Sequence, residues 1–330
     1  MAAIVALVAL SPPSPASAEP GVRIRSGIVY ASPDGVPLKL DAYLPVSPGP
    51  HPAVILIHGG AWTLGYRSYE VDLAASLVKA DFAAFAVDYR LAPEFPFPAA
   101  VEDVRAAVTW VRAHAAEYDI DPAAIGAIGE SAGGHLAAML AMLGTGPLDT
   151  GSRIAAAVSW SGPMDLAALL RDAGDVVSQR FTIRGLVEQF LGCHGASCQG
   201  LLRDASPVSF IDPSDAPMLL VNSTQEIIPL TQATEMTDEL HRAGVSARVI
   251  EMPGKKHAGE YANDPVPGSS SSVLEVSIAF LCSQLPRAPG PVGTTSGGGP
   301  VSPLQAAVAA VAVACVAGAL FRRKRRVRRT

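Results

Sequence analysis

Ser131 lies at the centre of Gly129-Glu130-Ser131-Ala132-Gly133, a spacing that can make a serine hydroxyl reactive. The apolar run 124–128 before it predicts a buried strand, and the small apolar residues 132–143 after it predict a helix. A serine on such a sharp strand-to-helix turn is held exposed, where a neighbouring base can take its proton. Glycines flank the serine because the turn crowds the backbone. The pattern therefore predicts a nucleophile at residue 131.

A nucleophilic serine needs a base, and the chain offers seven histidines. His257 fits best, because it follows the last predicted strand and lies in a loop late in the chain. The other six precede a strand, lie in the glycine or cysteine loops, or lie on predicted helices. For each of those six we expect a structural role.

The base in turn needs a carboxylate that orients its imidazole ring. This acid should follow the predicted strand 218–221, and Glu226 is the only carboxylate in the segment 222–229. Asp212 and Asp215 precede that strand, so we expect them to cap a turn or lie at the surface. The resulting order along the chain is serine, glutamate, histidine, which is a known order for such a triad.

An anionic intermediate would need hydrogen-bond donors, and the glycine loop after the apolar run 53–57 can supply them. The backbone N–H groups of Gly59 and Gly60, together with that of Ala132, are the predicted oxyanion donors. A plain glycine turn is the alternative. The candidate pocket residues are Trp62, Tyr66 and Trp160, for which a place in the core is the alternative.

The elements that must position these residues alternate between strands and helices. Apolar runs predict buried strands at 53–57, 83–87, 124–128, 154–160, 218–221 and 247–250, and helical patterns occupy 98–118, 231–243 and 273–285. This alternation predicts a parallel sheet covered by helices on both faces, and the pattern at 27–45 predicts an antiparallel start. The stretch 163–215 is longer than most connections and predicts a lid-like insertion at the carboxyl edge of the sheet.

Together these motifs resemble the α/β-hydrolase carboxylesterases of the hormone-sensitive-lipase-like group. The similarity covers about residues 22–285. The matching segments are His58-Gly59-Gly60-Ala61-Trp62, Asp88-Tyr89-Arg90-Leu91-Ala92-Pro93-Glu94, Phe97-Pro98-Ala99-Ala100, Asp103 and Gly129-Glu130-Ser131-Ala132-Gly133-Gly134-His135. The resemblance implies an α/β-hydrolase fold, a mostly parallel sheet with helices on both faces, and hydrolysis of carboxylic esters without a cofactor or metal.

The chain departs from the group's pattern at two places. Ala61 stands where many relatives have a third glycine, which implies that esters of tertiary alcohols are poor substrates. The acid loop lacks the Gly-x-x-Asp of the group. Alignment from the preceding strand puts Glu226 at the acid position, whereas alignment back from Pro229 puts Gln225 there. We prefer Glu226, because an amide cannot do the work of a carboxylate.

The amino-terminal segment predicts export of the chain. Residues 1–18 combine a short apolar run with Ala16-Ser17-Ala18, the pattern of a secretory signal peptide and its cleavage site. No lysine or arginine precedes the apolar run, which is a departure from that pattern. The predicted catalytic domain then spans 19–285 and would lie outside the cell.

The carboxyl-terminal segment predicts a membrane anchor. Residues 286–303 are rich in Pro, Gly, Ser and Thr and predict a flexible stalk. Residues 304–321 contain only one polar side chain and predict a transmembrane helix, for which an alanine-rich core helix is the alternative. Residues 322–330 carry seven basic side chains and predict a cytoplasmic tail. The expected topology is a single pass with the catalytic domain outside.

Charge and cysteine content narrow the classes of partner. The net charge is −5, but the last nine residues hold seven of the 25 basic side chains and leave 18 against 30 acidic ones. The chain without its last nine residues is therefore strongly acidic, which excludes nucleic acid as a partner. Cys193 and Cys198 predict a local disulfide in an exported protein, with a metal site that includes His194 as the alternative.

The combined interpretation is a serine carboxylesterase that acts on a small-molecule ester through an acyl-enzyme intermediate. Acetyl groups on extracellular glycans are one expected substrate. A peptidase of the same fold and a catalytically silent surface binding module are the alternatives. Flavin and nicotinamide enzymes are disfavoured, because no G-x-G-x-x-G follows the first strand. The sequence leaves the oligomeric state open.

Overall fold

The computed structural model describes residues 21–172 and 182–285 of the chain. The strands are β1 (Val22–Ala31), β2 (Leu38–Pro45), β3 (His51–Ile57), β4 (Ala83–Val87), β5 (Ile120–Glu130), β6 (Ala156–Trp160), β7 (Met218–Ser223) and β8 (Ala247–Met252). The helices are α1 (Val71–Lys79), α2 (Ala99–Ala113), α3 (Ala115–Tyr118), α4 (Ala132–Leu143), α5 (Leu166–Asp172), α6 (Ile183–Leu191), α7 (Gln199–Asp204), α8 (Thr231–Arg242) and α9 (Val273–Gln284).

The eight strands form one sheet in the order β1-β2-β4-β3-β5-β6-β7-β8. Strand β2 runs antiparallel to both β1 and β4, and every pair from β4 across to β8 is parallel. The predicted antiparallel start and mostly parallel sheet are confirmed. Because the parallel strands share one direction, their carboxyl ends meet at one edge, where loops can assemble a site.

Both faces of the sheet are buried, which explains why its central strands are apolar throughout. Along β3, Val54 and Leu56 pack into one hydrophobic cluster, whereas Ile55 and Ile57 pack into the cluster on the opposite face. Successive side chains of a strand point to opposite faces, so a strand covered on both sides needs an apolar residue at every position. The helices packed on the two faces keep these strands in register and hold the carboxyl edge in place.

The stretch 163–215 lies between β6 and β7, and its described residues, 163–172 and 182–215, fold mainly as short helices. Helices α5, α6 and α7 lie within it, together with two short 3-10 turns, Gly195–Cys198 and Pro207–Phe210. Side chains from α5 and α6 line a cavity at the carboxyl edge of the sheet. This is the position predicted for the lid-like insertion. Helix α1, between β3 and β4, is not among the elements predicted above.

The predicted targeting segments lie outside the described residues. They are 1–18, 286–303, 304–321 and 322–330. Within 21–172 and 182–285, none of the helices has both the length and the apolar character that crossing a bilayer requires.

Candidate active site

Ser131 occupies a strained turn between β5 and α4. Its backbone has φ 51° and ψ −116°, and its N–H donates to the carbonyl of Trp160 at 2.7 Å. A Cβ on Gly133 would lie 1.9 Å from the carbonyl oxygen of Ile57, and one on Gly129 would lie 2.2 Å from that of Gly133. Both flanking glycines are therefore needed for the close approach of three backbone segments. Strain of this kind is typical of functional positions.

His257 and Glu226 meet across the ends of β8 and β7. The Nδ1 atom of His257 hydrogen-bonds to Oε2 of Glu226, whose side chain is fully buried. A carboxylate on Nδ1 requires the proton there and leaves Nε2 free to accept one. Ser131 and His257 line the same cavity, although no hydrogen bond joins them among the described residues. Such bonds commonly tighten only when substrate binds.

The structure distinguishes between the two alignments of the acid loop. Glu226 points inward to the imidazole, whereas Gln225 is exposed and its N–H donates to the carbonyl of Gly254 at 2.9 Å. Asp212 and Asp215 lie before β7 and bond to each other, Asp215 accepting the N–H of Asp212 at 2.7 Å. The geometry therefore favours Glu226 as the partner of the imidazole.

Three residues that the sequence did not indicate hold Glu226 in place. Its Oε1 accepts the N–H of Ser223 at 2.7 Å and the hydroxyl of Ser161 at 2.8 Å. The hydroxyl of Tyr261 lies 2.8 Å from Ser161 Oγ. Ser161 is 65 residues away from Glu226 in the chain, so no local pattern could have indicated this contact.

The glycine loop presents unused backbone donors to the cavity. Gly59, Gly60 and Ala132 all line it, and none of their N–H groups donates a hydrogen bond within the described part of the chain. The Nδ1 atom of His58 bonds to the Gly59 carbonyl at 2.7 Å, and Tyr89 donates to the His58 carbonyl at 3.0 Å. These contacts fix the loop, so its free N–H groups are preorganised to bind a negatively charged oxygen.

A second chain of hydrogen bonds connects this loop to helix α4 and to the insertion. Trp62 donates from Nε1 to Nδ1 of His135 at 3.2 Å, and Nε2 of His135 lies 2.7 Å from the carbonyl of Ala205. Because Nδ1 accepts, the ring proton must be on Nε2. Burial lowers the pKa of His135 to about 4, so the ring stays neutral at neutral pH. His135 therefore has a structural role, as expected.

The cavity has a volume of about 650 Å³ and a largely apolar wall. Its apolar side chains come from the insertion, from the loop after β7 and from the segment between β3 and α1. Those from the first two include Leu169, Ile183, Leu186, Val187, Ile227 and Ile228. A volume in this range accommodates a small organic ligand.

One of the three predicted pocket residues lines this cavity and two do not. Trp62 does, with 5% of its surface exposed. The prediction is wrong for Trp160, which is a core residue: its Nε1 donates to Ser277 Oγ at 3.0 Å. It is also wrong for Tyr66, which projects from the surface with 58% of its area exposed. Its neighbour Tyr69, which packs edge-on against it, lines the cavity instead.

Cys193 and Cys198 form a disulfide, with their Cα atoms 5.3 Å apart. It closes a short turn after α6, one of the helices that lines the cavity. The alternative metal site finds no support in this geometry, because the His194 ring bonds to Glu188 at 3.1 Å. Across 21–172 and 182–285, no three His, Cys, Asp or Glu side chains are grouped to hold a metal.

Two further glutamates line the cavity, and the sequence did not indicate either. Burial, and then the negative charge of Glu130, raise the pKa of Glu70 from 4.5 to about 8. Burial also raises the pKa of Glu130, although the Gly259 N–H and the nearby His257 oppose this shift. Part of this wall therefore carries two carboxyl groups with raised pKa values, the buried Glu70 and the partly buried Glu130.

Sheet topology, elbow and triad geometry define an α/β-hydrolase of the carboxylesterase type. The chain belongs to the BD-FAE family, whose model matches residues 40–240. It is 30% identical to a probable isoprenylcysteine alpha-carbonyl methylesterase of Arabidopsis thaliana, over 76% of this chain and 54% of that one. It is 32% identical to the probable carboxylic ester hydrolase LipM of Mycobacterium tuberculosis, over 64% and 50%. The chain thus spans about half the length of these curated relatives.

A solved structure confirms the fold. The chain superposes on a truncated form of a carbohydrate esterase from gut microbiota with a TM-score of 0.68 and 27% sequence identity. The match covers 80% of this chain and 96% of that structure.

Proposed function

We propose that this chain hydrolyses carboxylic esters by acyl transfer to Ser131. The observation that carries the proposal is the His257–Glu226 hydrogen bond at the edge of a cavity that Ser131 also lines. In the same cavity, three unused backbone N–H groups can bind the oxyanion. A binding module has no use for a base oriented in this way beside such donors.

The mechanism uses each of these groups in turn. His257 takes the proton of Ser131 as Oγ attacks the ester carbonyl, and Glu226 stabilises the imidazolium that forms. The N–H groups of Gly59, Gly60 and Ala132 bind the oxyanion; losing one such donor typically costs about 10²–10³ in rate. His257 then protonates the leaving alcohol, and later activates the water that releases the acid.

For the substrate, we propose esters with small or medium acyl groups, including acetyl groups on glycans. The cavity of about 650 Å³ supports a small ligand. The structural neighbour named as a carbohydrate esterase supports a sugar alcohol.

The test is hydrolysis of p-nitrophenyl acetate, butyrate and octanoate by the wild type and by Ser131→Ala. We expect turnover only with the serine present, while circular dichroism shows that both proteins are folded. Equal rates for the two proteins would overturn the mechanism. The acyl-chain profile of the wild type reports how deep the acyl pocket is.

We also propose that the chain is exported and held on the membrane by its carboxyl-terminal segment, with the tail in the cytoplasm. The hydropathy of 304–321 and the basic residues 322–330 support this topology. The test is alkaline extraction of membranes from cells that express the full chain or a variant ending at residue 303. The full chain should remain in the membrane pellet and the shorter variant should be released. A full chain recovered entirely in the soluble fraction would contradict the proposal.

A further inference from the structure

We propose that Glu70 is a specificity-determining residue that binds a hydroxyl group of the ester substrate inside the catalytic cavity. The inference rests on the proposed ester hydrolysis and names the kind of substrate on which it acts. Glu70 carries a carboxyl group that the catalytic triad does not use.

Glu70 is buried and unpaired, yet it faces the cavity. It ends the 3-10 turn Arg67–Glu70, only 3% of its surface is exposed, and it lines the same cavity as Ser131. Its carboxyl makes no hydrogen bond or ion pair with any described residue. By contrast, Arg67 in the same turn is paired with Asp88 at 2.5 Å. A carboxyl that is mostly removed from bulk water, has no partner among the described residues and faces the cavity is free to pair with a ligand there.

Arg67 is the positive charge nearest to Glu70 in sequence, but it is paired with Asp41 and Asp88 and does not line the cavity. Within the described residues, the cavity wall contains neither lysine nor arginine. The charged or titratable groups that interact with Glu70 are the carboxyl of Glu130 and the hydroxyls of Tyr43 and Tyr89. Tyr89 already donates its proton to the His58 carbonyl. A substrate with an anionic group near Glu70 is therefore disfavoured, and a neutral or cationic group remains.

The protonation state of Glu70 favours the neutral group. Because its pKa is raised to about 8, Glu70 is mostly a carboxylic acid at neutral pH. Such an acid offers one O–H donor and one carbonyl acceptor, and a hydroxyl group pairs with both. An ammonium group only donates, so it would leave the acid proton unpaired or require its loss. A hydroxyl is the better match for this wall.

The experiment compares esters in which a hydroxyl replaces a methyl group. One pair is 2-hydroxyethyl acetate and propyl acetate, and the other is methyl glycolate and methyl propionate. The pairs place the hydroxyl on the alcohol side and on the acyl side. The readout is the ratio of kcat/KM within each pair, measured at pH 7 by acid release. Acetylcholine is included as the cationic probe.

In at least one pair, Glu70→Met should lower the ratio by about tenfold or more, which is the usual cost of an unmade hydrogen bond to a buried polar group. Glu70→Gln keeps a donor and an acceptor and should retain most of the ratio. Asp72→Asn is the matched control: it neutralises an exposed carboxylate two residues away, outside the cavity wall, and should leave both ratios unchanged.

Unchanged ratios in folded Glu70→Met would overturn the inference, and so would a wild-type preference for acetylcholine that Glu70→Met abolishes. If Glu70→Met does not fold, the comparison moves to pH 9. There the wild-type ratio should change as Glu70 ionises, because the carboxylate accepts a hydrogen bond from the hydroxyl but no longer donates one, whereas the Glu70→Gln ratio should stay constant; parallel behaviour would overturn the inference. A wild type that hydrolyses no ester at all would instead overturn the proposed function.

Discussion

Ser161 Oγ donates a hydrogen bond to Oε1 of Glu226 at 2.8 Å, across the carboxyl ends of the neighbouring strands β6 and β7. Ser161 Oγ also accepts a hydrogen bond from the N–H of Ala258, the residue after His257, at 2.9 Å. One hydroxyl thus contacts both the acid and the loop that carries the base. The position of Glu226 does not depend on its own loop alone.

We therefore expect Ser161→Ala to lower kcat about tenfold with little change in KM, because a less fixed carboxylate orients the imidazole less well. Ser159→Ala is the matched control. Ser159 lies two residues earlier, and its hydroxyl is buried without a hydrogen-bond partner among the described residues. Steady-state kinetics on p-nitrophenyl acetate measures both variants. A rise in KM at constant kcat in Ser161→Ala would show that the hydroxyl acts on substrate binding instead.

Glu226→Gln should lower kcat by about 10³–10⁴, because an amide cannot stabilise the imidazolium and favours the wrong tautomer. Gln225→Ala should leave kcat within about twofold, since that side chain is exposed and does not reach the imidazole. Measuring the two variants side by side tests the choice between the alignments directly. The opposite pattern of losses would move the acid to another part of the loop.

Gly133→Ala should prevent the elbow from forming. Its new methyl group would lie 1.9 Å from the Ile57 carbonyl, a backbone atom that cannot move aside easily. Gly200→Ala is the control, because nothing lies within 4 Å of that position and it belongs to helix α7. The control should be neutral or up to about 1 kcal/mol more stable. Soluble yield and thermal melting report the difference, and a fully active Gly133→Ala would refute the tight approach.

Glu70 should make the stability of the protein depend on pH. Its folded pKa of about 8 lies above the ordinary 4.5, so the folded state holds a proton that the unfolded state has lost. The stability that this proton contributes is complete below about pH 4.5. It then falls as the pH rises from about 4.5 to about 8, where Glu70 ionises in the folded protein too.

Urea unfolding at several pH values between 5 and 8 measures this slope, with Glu70→Gln as the comparison. The free energy of unfolding of the wild type should fall relative to that of Glu70→Gln as the pH rises. Parallel curves would mean that Glu70 titrates normally in the folded protein. Asp72→Asn should keep the wild-type slope, because its carboxylate is exposed.

Local patterns in the sequence were enough to predict most of the sheet and the candidate nucleophile. Unbroken apolar runs marked the central strands, because a strand buried on both faces needs an apolar residue at every position. Helix α1 and the helices of the insertion were missed because they are short, none of them longer than nine residues. The insertion was recognised by its length alone.

The residues that support the triad and line the cavity could not be predicted from local patterns, because their contacts join residues distant in sequence. Ser161 supports Glu226 only after β6 and β7 pair. Nothing local shows that Glu70 will be buried without a partner. Trp160 was predicted to line the cavity because it is an aromatic residue at the end of β6. Its side chain instead packs against α9 on one face of the sheet.

The Trp62–His135–Ala205 chain has a consequence for how substrate reaches the serine. The neutral imidazole of His135 connects the insertion to the glycine loop by hydrogen bonds. An outward movement of the insertion would therefore also displace the backbone N–H groups that bind the oxyanion. The side chains of Leu64, Tyr69 and Ile227 line the cavity yet stay 58%, 54% and 43% exposed, so they form its rim. Because this apolar rim is open to solvent, the ester can enter and the acid can leave while the insertion stays in place. Exchange of substrate and product therefore does not require movement of the insertion.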